Sequence, residues 1–173
     1  MYCSVLSDFI FREILYLKTN KYNMIICYFG NYNPEYARNR VLIKGLKENG
    51  VNVIECCEQS SSLALFANLI KKHRQLPVYD RMIVGYTDSR WVVVLGRLLC
   101  RKVFVWDAFY SLYDSWVFDR KLADKYSPKA AYYWLMDWLC CQLAGKILLD
   151  TKGHLHSQFH IFRKSQSKGE TFA

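Results

Sequence analysis

MIICYFGNYNPEYARNRVLIKGLKENGVNVIEC, residues 24–56, decides the fold. Its first six residues are apolar without alternation, the pattern of a strand covered on both faces. Gly30 ends that run, and a loop of asparagines, aromatics and Pro34 follows. Residues 38–49 then take a helical period, with Val41, Leu42 and Leu46 expected on one face and Gly50 as the stop. Residues 51–56, VNVIEC, form the next strand. A strand, a helix and a strand within roughly thirty residues make one βαβ unit, whose strands must run parallel.

Outward from this unit the alternation continues. Serines at 60–62 can cap a helix over 63–74, LALFANLIKKHR, whose basic end suits the negative pole of the helix dipole. RMIV at 81–84 is strand-like, and a helix over 89–100 leads to a strand at 102–106, KVFVW. Ser127-Pro128 places a cap residue before a proline at the first helical position, opening an aromatic helix over 129–144. KILL at 146–149 closes the series. The fold class is therefore α/β: a Rossmann-like, doubly wound, mainly parallel sheet of about five or more strands. The expected organisation is an N-terminal extension at 1–23, with an amphipathic helix over 5–17 as its structured form, one Rossmann-like domain at 24–160, and a polar basic tail at 161–173.

A chain of 173 residues with 52% hydrophobic content can bury a sizeable core. Lys and Arg number 24 against 15 Asp and Glu, for a net charge of +9. That balance points to nucleic acid, an anionic membrane face or a phosphorylated small molecule, without choosing among them. No RNP, KH or helix-turn-helix pattern accompanies the charge, so nucleic acid ranks last. Seven cysteines include the pairs Cys56-Cys57 and Cys140-Cys141 but no CxxC, and they fit small buried residues in a reducing compartment. The histidines at 154, 156 and 160 do not share a helical face, so no metal is expected. The most apolar stretch, 130–145, is too short to cross a bilayer and carries Asp137 in its middle. Residues 1–23 lack the basic start, apolar run and cleavage site of a signal peptide.

Ligands of parallel α/β sheets sit at the carboxyl ends of the strands. The rule nominates Gly30, Asn31, Tyr32 and Asn33, then Glu55, then Gly85 and Tyr86 with Thr87 and Asp88, then Asp107, Phe109 and Tyr110, and finally Asp150 and Thr151. Neither GxGxxG nor GxxxxGK[ST] is present, so a dinucleotide or ATP cradle is not supported. Arg38 and Arg40 flank a helix start and can hold a phosphate or carboxylate, or can be solvated. Asp107 is expected where the fourth strand leaves the sheet, and a carboxylate there is costly unless it is hydrogen-bonded or faces a cleft. Asp114 and Asp119-Arg120 suit capping and ion pairing better than catalysis, and His154 is kept because it follows the fifth strand.

Four ordered blocks carry a resemblance: FGNYNPEYARNRVLIKGLKENGVNVIEC, IVGYTDSRW, VFVWDAFYSLYDSWVFDRK and GKILLDTKGH. Together they resemble the N-terminal half of GT-B glycosyltransferases of the group 1, family-four type, over about residues 24–160. The resemblance implies one of two Rossmann-like halves facing across a cleft, this one receiving a glycan, cell-envelope or lipid-linked acceptor. A nucleotide-sugar, UDP- or GDP-linked, would be bound by the other half, with no obligatory metal. The glutamate pair that holds the donor in that family has no counterpart here, so the chain alone is not expected to transfer sugar. By the resemblance, Gly30 and Asn31–Asn33 face the cleft, with Arg38 and Arg40 as anion contacts, while Asp107 to Asp114 line the acceptor side, Asp107 as the catalytic candidate. It further implies a cytoplasmic location, peripheral at the inner membrane face, where Lys71, Lys72, Arg74, Arg97, Arg101 and Lys102 could meet anionic lipid. The alternative is a non-catalytic or split-subunit module, completed in trans by a donor-binding chain or by a second copy.

Overall fold

The computed structural model describes residues 24–60, 63–87 and 89–149. Five strands, β1 (Ile25–Gly30), β2 (Asn52–Cys57), β3 (Arg81–Val84), β4 (Val103–Phe109) and β5 (Lys146–Leu149), form one sheet in the order β2-β1-β3-β4-β5. β1 pairs in parallel with β2 and β3, and β4 with β5. Helices α1 (Ala37–Glu48), α2 (Leu63–Arg74), α3 (Arg90–Leu99), α4 (Leu112–Asp114) and α5 (Pro128–Leu143) connect them. The α/β sheet expected from the alternation is the one observed. The described residues group into two compact units, divided between Phe104 and Val105.

In the first unit β1 is the central strand, and Ile26 to Phe29 have no measurable exposure. β3 is buried at all four positions, as a strand without alternation should be. Edge strand β2 is half-exposed instead, since only β1 pairs with it among the described residues. Helix α1 buries Asn39, Leu42, Ile43 and Leu46, an i, i+3, i+4, i+7 stripe. Val41, expected on that stripe, is out of phase with it and exposed. Helix α3 sits very close to the sheet at Gly96, where an added Cβ would lie 3.1 Å from Val84, 3.2 Å from Phe104 and 3.3 Å from Phe29. A side chain there would lift α3 off the sheet.

In the second unit the cap at Ser127 is realised as expected. Its hydroxyl accepts from the Ala130 N–H at 3.1 Å and Pro128 opens α5. Strand β4 runs three residues beyond the expected end at Trp106, through Asp107 and Ala108 to Phe109. Pairing with β5 carries it there, with Asp107 opposite Leu148 and Phe109 opposite Leu149. The low strand propensity of Asp is thus overridden by its neighbour. The segment 112–119 is one short turn of α-helix followed by a π-helical turn, Ser115–Asp119.

Candidate functional site

In the first unit the chain leaves β1 toward β2 on one side and returns as β3 on the other. The loops after β1 and β3 lie at this reversal of strand order, the place where parallel α/β sheets bind their ligands. Both loops depend on glycine, for different reasons. Gly30 has a φ of +140°, a conformation costly to any side chain, yet a Cβ there would meet only ordinary contacts, the nearest 3.6 Å away on Val92. Gly85 is required by space: a Cβ would lie 2.5 Å from Cε1 of the buried Tyr28 ring.

Asn39 ties the two loops together. It is fully buried on α1, and its Oδ1 accepts from the Tyr28 hydroxyl at 2.9 Å and from the Tyr86 N–H at 3.2 Å. Its Nδ2 donates to the Asn33 carbonyl at 3.0 Å. Asn33 in turn accepts from the Glu35 N–H through its side chain, 2.9 Å, and from the Tyr36 N–H through its carbonyl, 3.2 Å, which forms the turn into α1. A second tie joins Asn31 to Thr87, whose hydroxyl donates to the Asn31 Oδ1 and accepts from the Ser89 N–H at 3.2 Å. Across the loops the rings of Tyr36 and Tyr86 lie 5.3 Å apart, tilted by 34°. The rim is thus held on both sides by bonds within the protein.

The expected residues divide here. Gly30, Asn31, Asn33, Gly85 and Tyr86 all belong to this rim. Tyr32 turns inward: it is buried against Tyr28, ring centroids 4.8 Å apart, and its hydroxyl donates to the Glu55 Oε2 at 3.3 Å. Burial above all, with the Glu55 carboxylate, raises the Tyr32 phenol, so it remains a protonated donor. Glu55 also pairs with Lys47 at 3.0 Å. On the first turn of α1, Arg38 is half-buried and Arg40 exposed. Arg90, at the start of α3, is buried and donates to the Thr87 carbonyl at 3.3 Å. The sequence did not single out Tyr36, Asn39 or Arg90. Only the position of Asn39 on the buried stripe of α1 could have signalled its role.

In the second unit Asp107 is not at the exit of its strand but inside it, with no exposed surface. The exit is made by Phe109, at a φ of 57°, and by Tyr110, whose N–H donates back to the Ala108 carbonyl at 2.6 Å. Ser111 follows, its hydroxyl donating to the Asp137 Oδ2 at 2.8 Å and accepting from the Asp114 N–H at 3.0 Å. Asp137 also accepts from the Tyr113 N–H at 3.0 Å. Asp88, Asp150, Thr151 and His154 lie outside the described residues, as do the expected extension at 1–23 and tail at 161–173.

Among the described residues no group of three or more His, Cys, Asp or Glu could hold a metal ion. Burial pushes the Cys56 thiol up to about 11 and Cys27 higher still, so neither supplies a thiolate near neutral pH. Among the described residues no helix is long and apolar enough to cross a membrane. The basic groups offered to an anionic surface are partly engaged within the protein. Lys72 pairs with Glu58 at 2.9 Å and donates to the Cys57 carbonyl at 2.7 Å, while Lys102 donates to the Tyr79 carbonyl at 2.5 Å.

The strand order defines the class: a Rossmann-like α/β protein, with the two loops at its β1/β3 reversal joined by hydrogen bonds to the buried Asn39. No family model, curated protein or solved structure matches the chain.

Proposed function

We propose that the chain is the acceptor-binding N-terminal half of a GT-B glycosyltransferase, acting with a domain that holds a UDP- or GDP-sugar. Transfer would break the bond between the anomeric carbon and the diphosphate, form one to an acceptor hydroxyl, and release that hydroxyl's proton. The observation that carries the proposal is the rim at the β1/β3 reversal, where Asn39 and the Asn31–Thr87 pair fix two loops bearing amide and phenol groups, beside Arg38 and Arg40 on the first turn of α1. Such groups suit a hydroxyl-rich acceptor: amides donate and accept together, and tyrosine rings pack on the apolar faces of sugars. The resemblance of the four sequence blocks supports the same reading. On it, the acceptor is a glycan or lipid-linked molecule, and exposed Lys71, Arg74 and Arg101 favour a peripheral place on an anionic membrane face.

A second reading, a module completed in trans by another chain, is favoured by one observation. On α5 the large apolar side chains Tyr132, Trp134 and Leu135 are 44%, 42% and 50% exposed. One assay series tests both. Labelled UDP- and GDP-sugars are incubated with lipid and glycan acceptors and the chain, alone and with lysate fractions from its source, and binding is followed by calorimetry. Transfer that requires the chain, and acceptor binding that weakens in Tyr86→Ala, are expected. Neither transfer nor acceptor binding across the donor panel would overturn the glycosyltransferase reading.

A further inference from the structure

Four departures from regular geometry crowd the carboxyl end of β4. The pairing of β4 with β5 shifts register between Asp107 and Phe109. Phe109 holds a φ of 57°, which a residue other than glycine adopts only at a cost. Tyr110 closes a tight turn onto the Ala108 carbonyl. A π-helical turn, Ser115–Asp119, follows within a few residues. Bulges, left-handed side-chain-bearing residues and π-turns are each uncommon and each concentrate at functional sites. Their place is the sheet edge where ligands of this architecture bind.

What the turn displays is aromatic. Phe109 and Tyr110 are both half-buried, with ring centroids 5.5 Å apart and planes 69° apart. What holds it is Asp137, a carboxylate 3% exposed in the middle of an otherwise apolar helix. A buried carboxylate is costly unless hydrogen-bonded, and here it accepts from the Ser111 hydroxyl and the Tyr113 N–H, both just past the strained pair. Through the same hydroxyl, Ser111 accepts the Asp114 N–H, so one side chain of α5 anchors the exit of β4.

We infer that Phe109 and Tyr110 form a ledge that receives the ring face of a pyranose, and that Asp137 is the positioning residue that holds the ledge in place. The inference rests on the glycosyltransferase reading and assigns the acceptor's ring to these two side chains. A pyranose presents a face of C–H groups to an aromatic ring while its hydroxyls stay in water. A half-buried pair of crossed rings fits that chemistry better than it fits an anion.

The test is saturation-transfer NMR on the whole chain with methyl glucopyranoside, galactopyranoside and mannopyranoside as probes. Saturating the aromatic protons should mark the ring C–H protons of at least one probe. Phe109→Ala and Tyr110→Leu should each weaken that binding about tenfold. Asp137→Ala should weaken it and abolish the cross-peak between the Phe109 and Tyr110 ring protons. Asp137→Asn, which can still accept from Ser111, should restore both. Tyr110→Leu removes only a half-buried ring, so it serves if Asp137→Ala does not fold. Binding unaffected by Phe109→Ala and Tyr110→Leu would overturn the ledge. Binding lost in Asp137→Ala with the ring cross-peak intact would overturn the positioning role. No probe bound while the chain supports sugar transfer would overturn this inference alone, and failure of both assays would overturn it together with the reading beneath it.

Discussion

Replacing Asn39 by leucine tests whether the rim is held as described. Leucine has the same branched arrangement of four side-chain heavy atoms, so the change removes hydrogen bonds rather than opening a cavity. Three bonds go: from the Tyr28 hydroxyl, from the Tyr86 N–H and to the Asn33 carbonyl. At about 1 kcal/mol each the loss is about 3 kcal/mol, and more where a partner is left buried without a substitute. For a chain of this size that lowers the melting temperature by roughly 6–12 °C. Urea unfolding followed by far-UV circular dichroism should show a lower midpoint with an unchanged slope, since the surface exposed on unfolding is the same. Asn49→Ala, which removes an exposed 2.8 Å bond to the Gly45 carbonyl, is the control and should cost about 0.5 kcal/mol or less. In the pair Tyr28→Phe with Asn39→Leu, the combined loss should fall about 1 kcal/mol short of the sum, because the hydroxyl that Asn39 served is gone. Asn39→Leu as stable as the parent would refute the claim that Asn39 joins the two loops, and strict additivity of the pair would refute its bond to Tyr28.

Three further outcomes are expected. Gly85→Ala should destabilise by about 1–3 kcal/mol in the same urea titration, because its methyl must displace the buried Tyr28 ring, and Tyr28→Leu in the same chain should relieve part of the loss. Ser127→Ala should cost about 1 kcal/mol, with faster hydrogen exchange confined to the first turn of α5, where the Ala130 N–H loses its acceptor. His73, half-buried beside Tyr79 at 2.8 Å, has its pKa lowered by burial from the ordinary 6.5. As pH falls below 6.5 the unfolded chain therefore takes up protons the folded one resists: stability is full above 6.5 and declines below it. Melting curves from pH 7.5 to 5 should show this decline, and His73→Phe should flatten it.

Much of the architecture is legible in local pattern because local physics sets it. Short apolar runs such as IICYF and MIV, too brief for a helix and bounded by turn residues, fit strands covered on both faces, and Ser127-Pro128 caps a helix whatever packs against it. The nomination of Gly30, Asn31, Asn33, Gly85 and Tyr86 followed from one further rule, that parallel sheets bind at their carboxyl ends. Where local pattern misled, a partner distant in sequence had intervened. The pairing of β5 extends β4 past Asp107, and Glu55 draws the Tyr32 hydroxyl inward.

By itself, then, the sequence determined the class of fold, the succession of strands and helices, and the loops at the carboxyl ends of the strands, all consequences of periodicity and of turn and cap chemistry within a few residues. Tertiary structure alone decided which polar side chains are buried as fasteners and which face outward. Asn39 meets Tyr86 across 47 positions and Asp137 meets Ser111 across 26. A polar residue on a helix carries no local mark of such a partner. Its burial is tolerable only because donors from distant elements converge on it, and that convergence exists only in the folded chain.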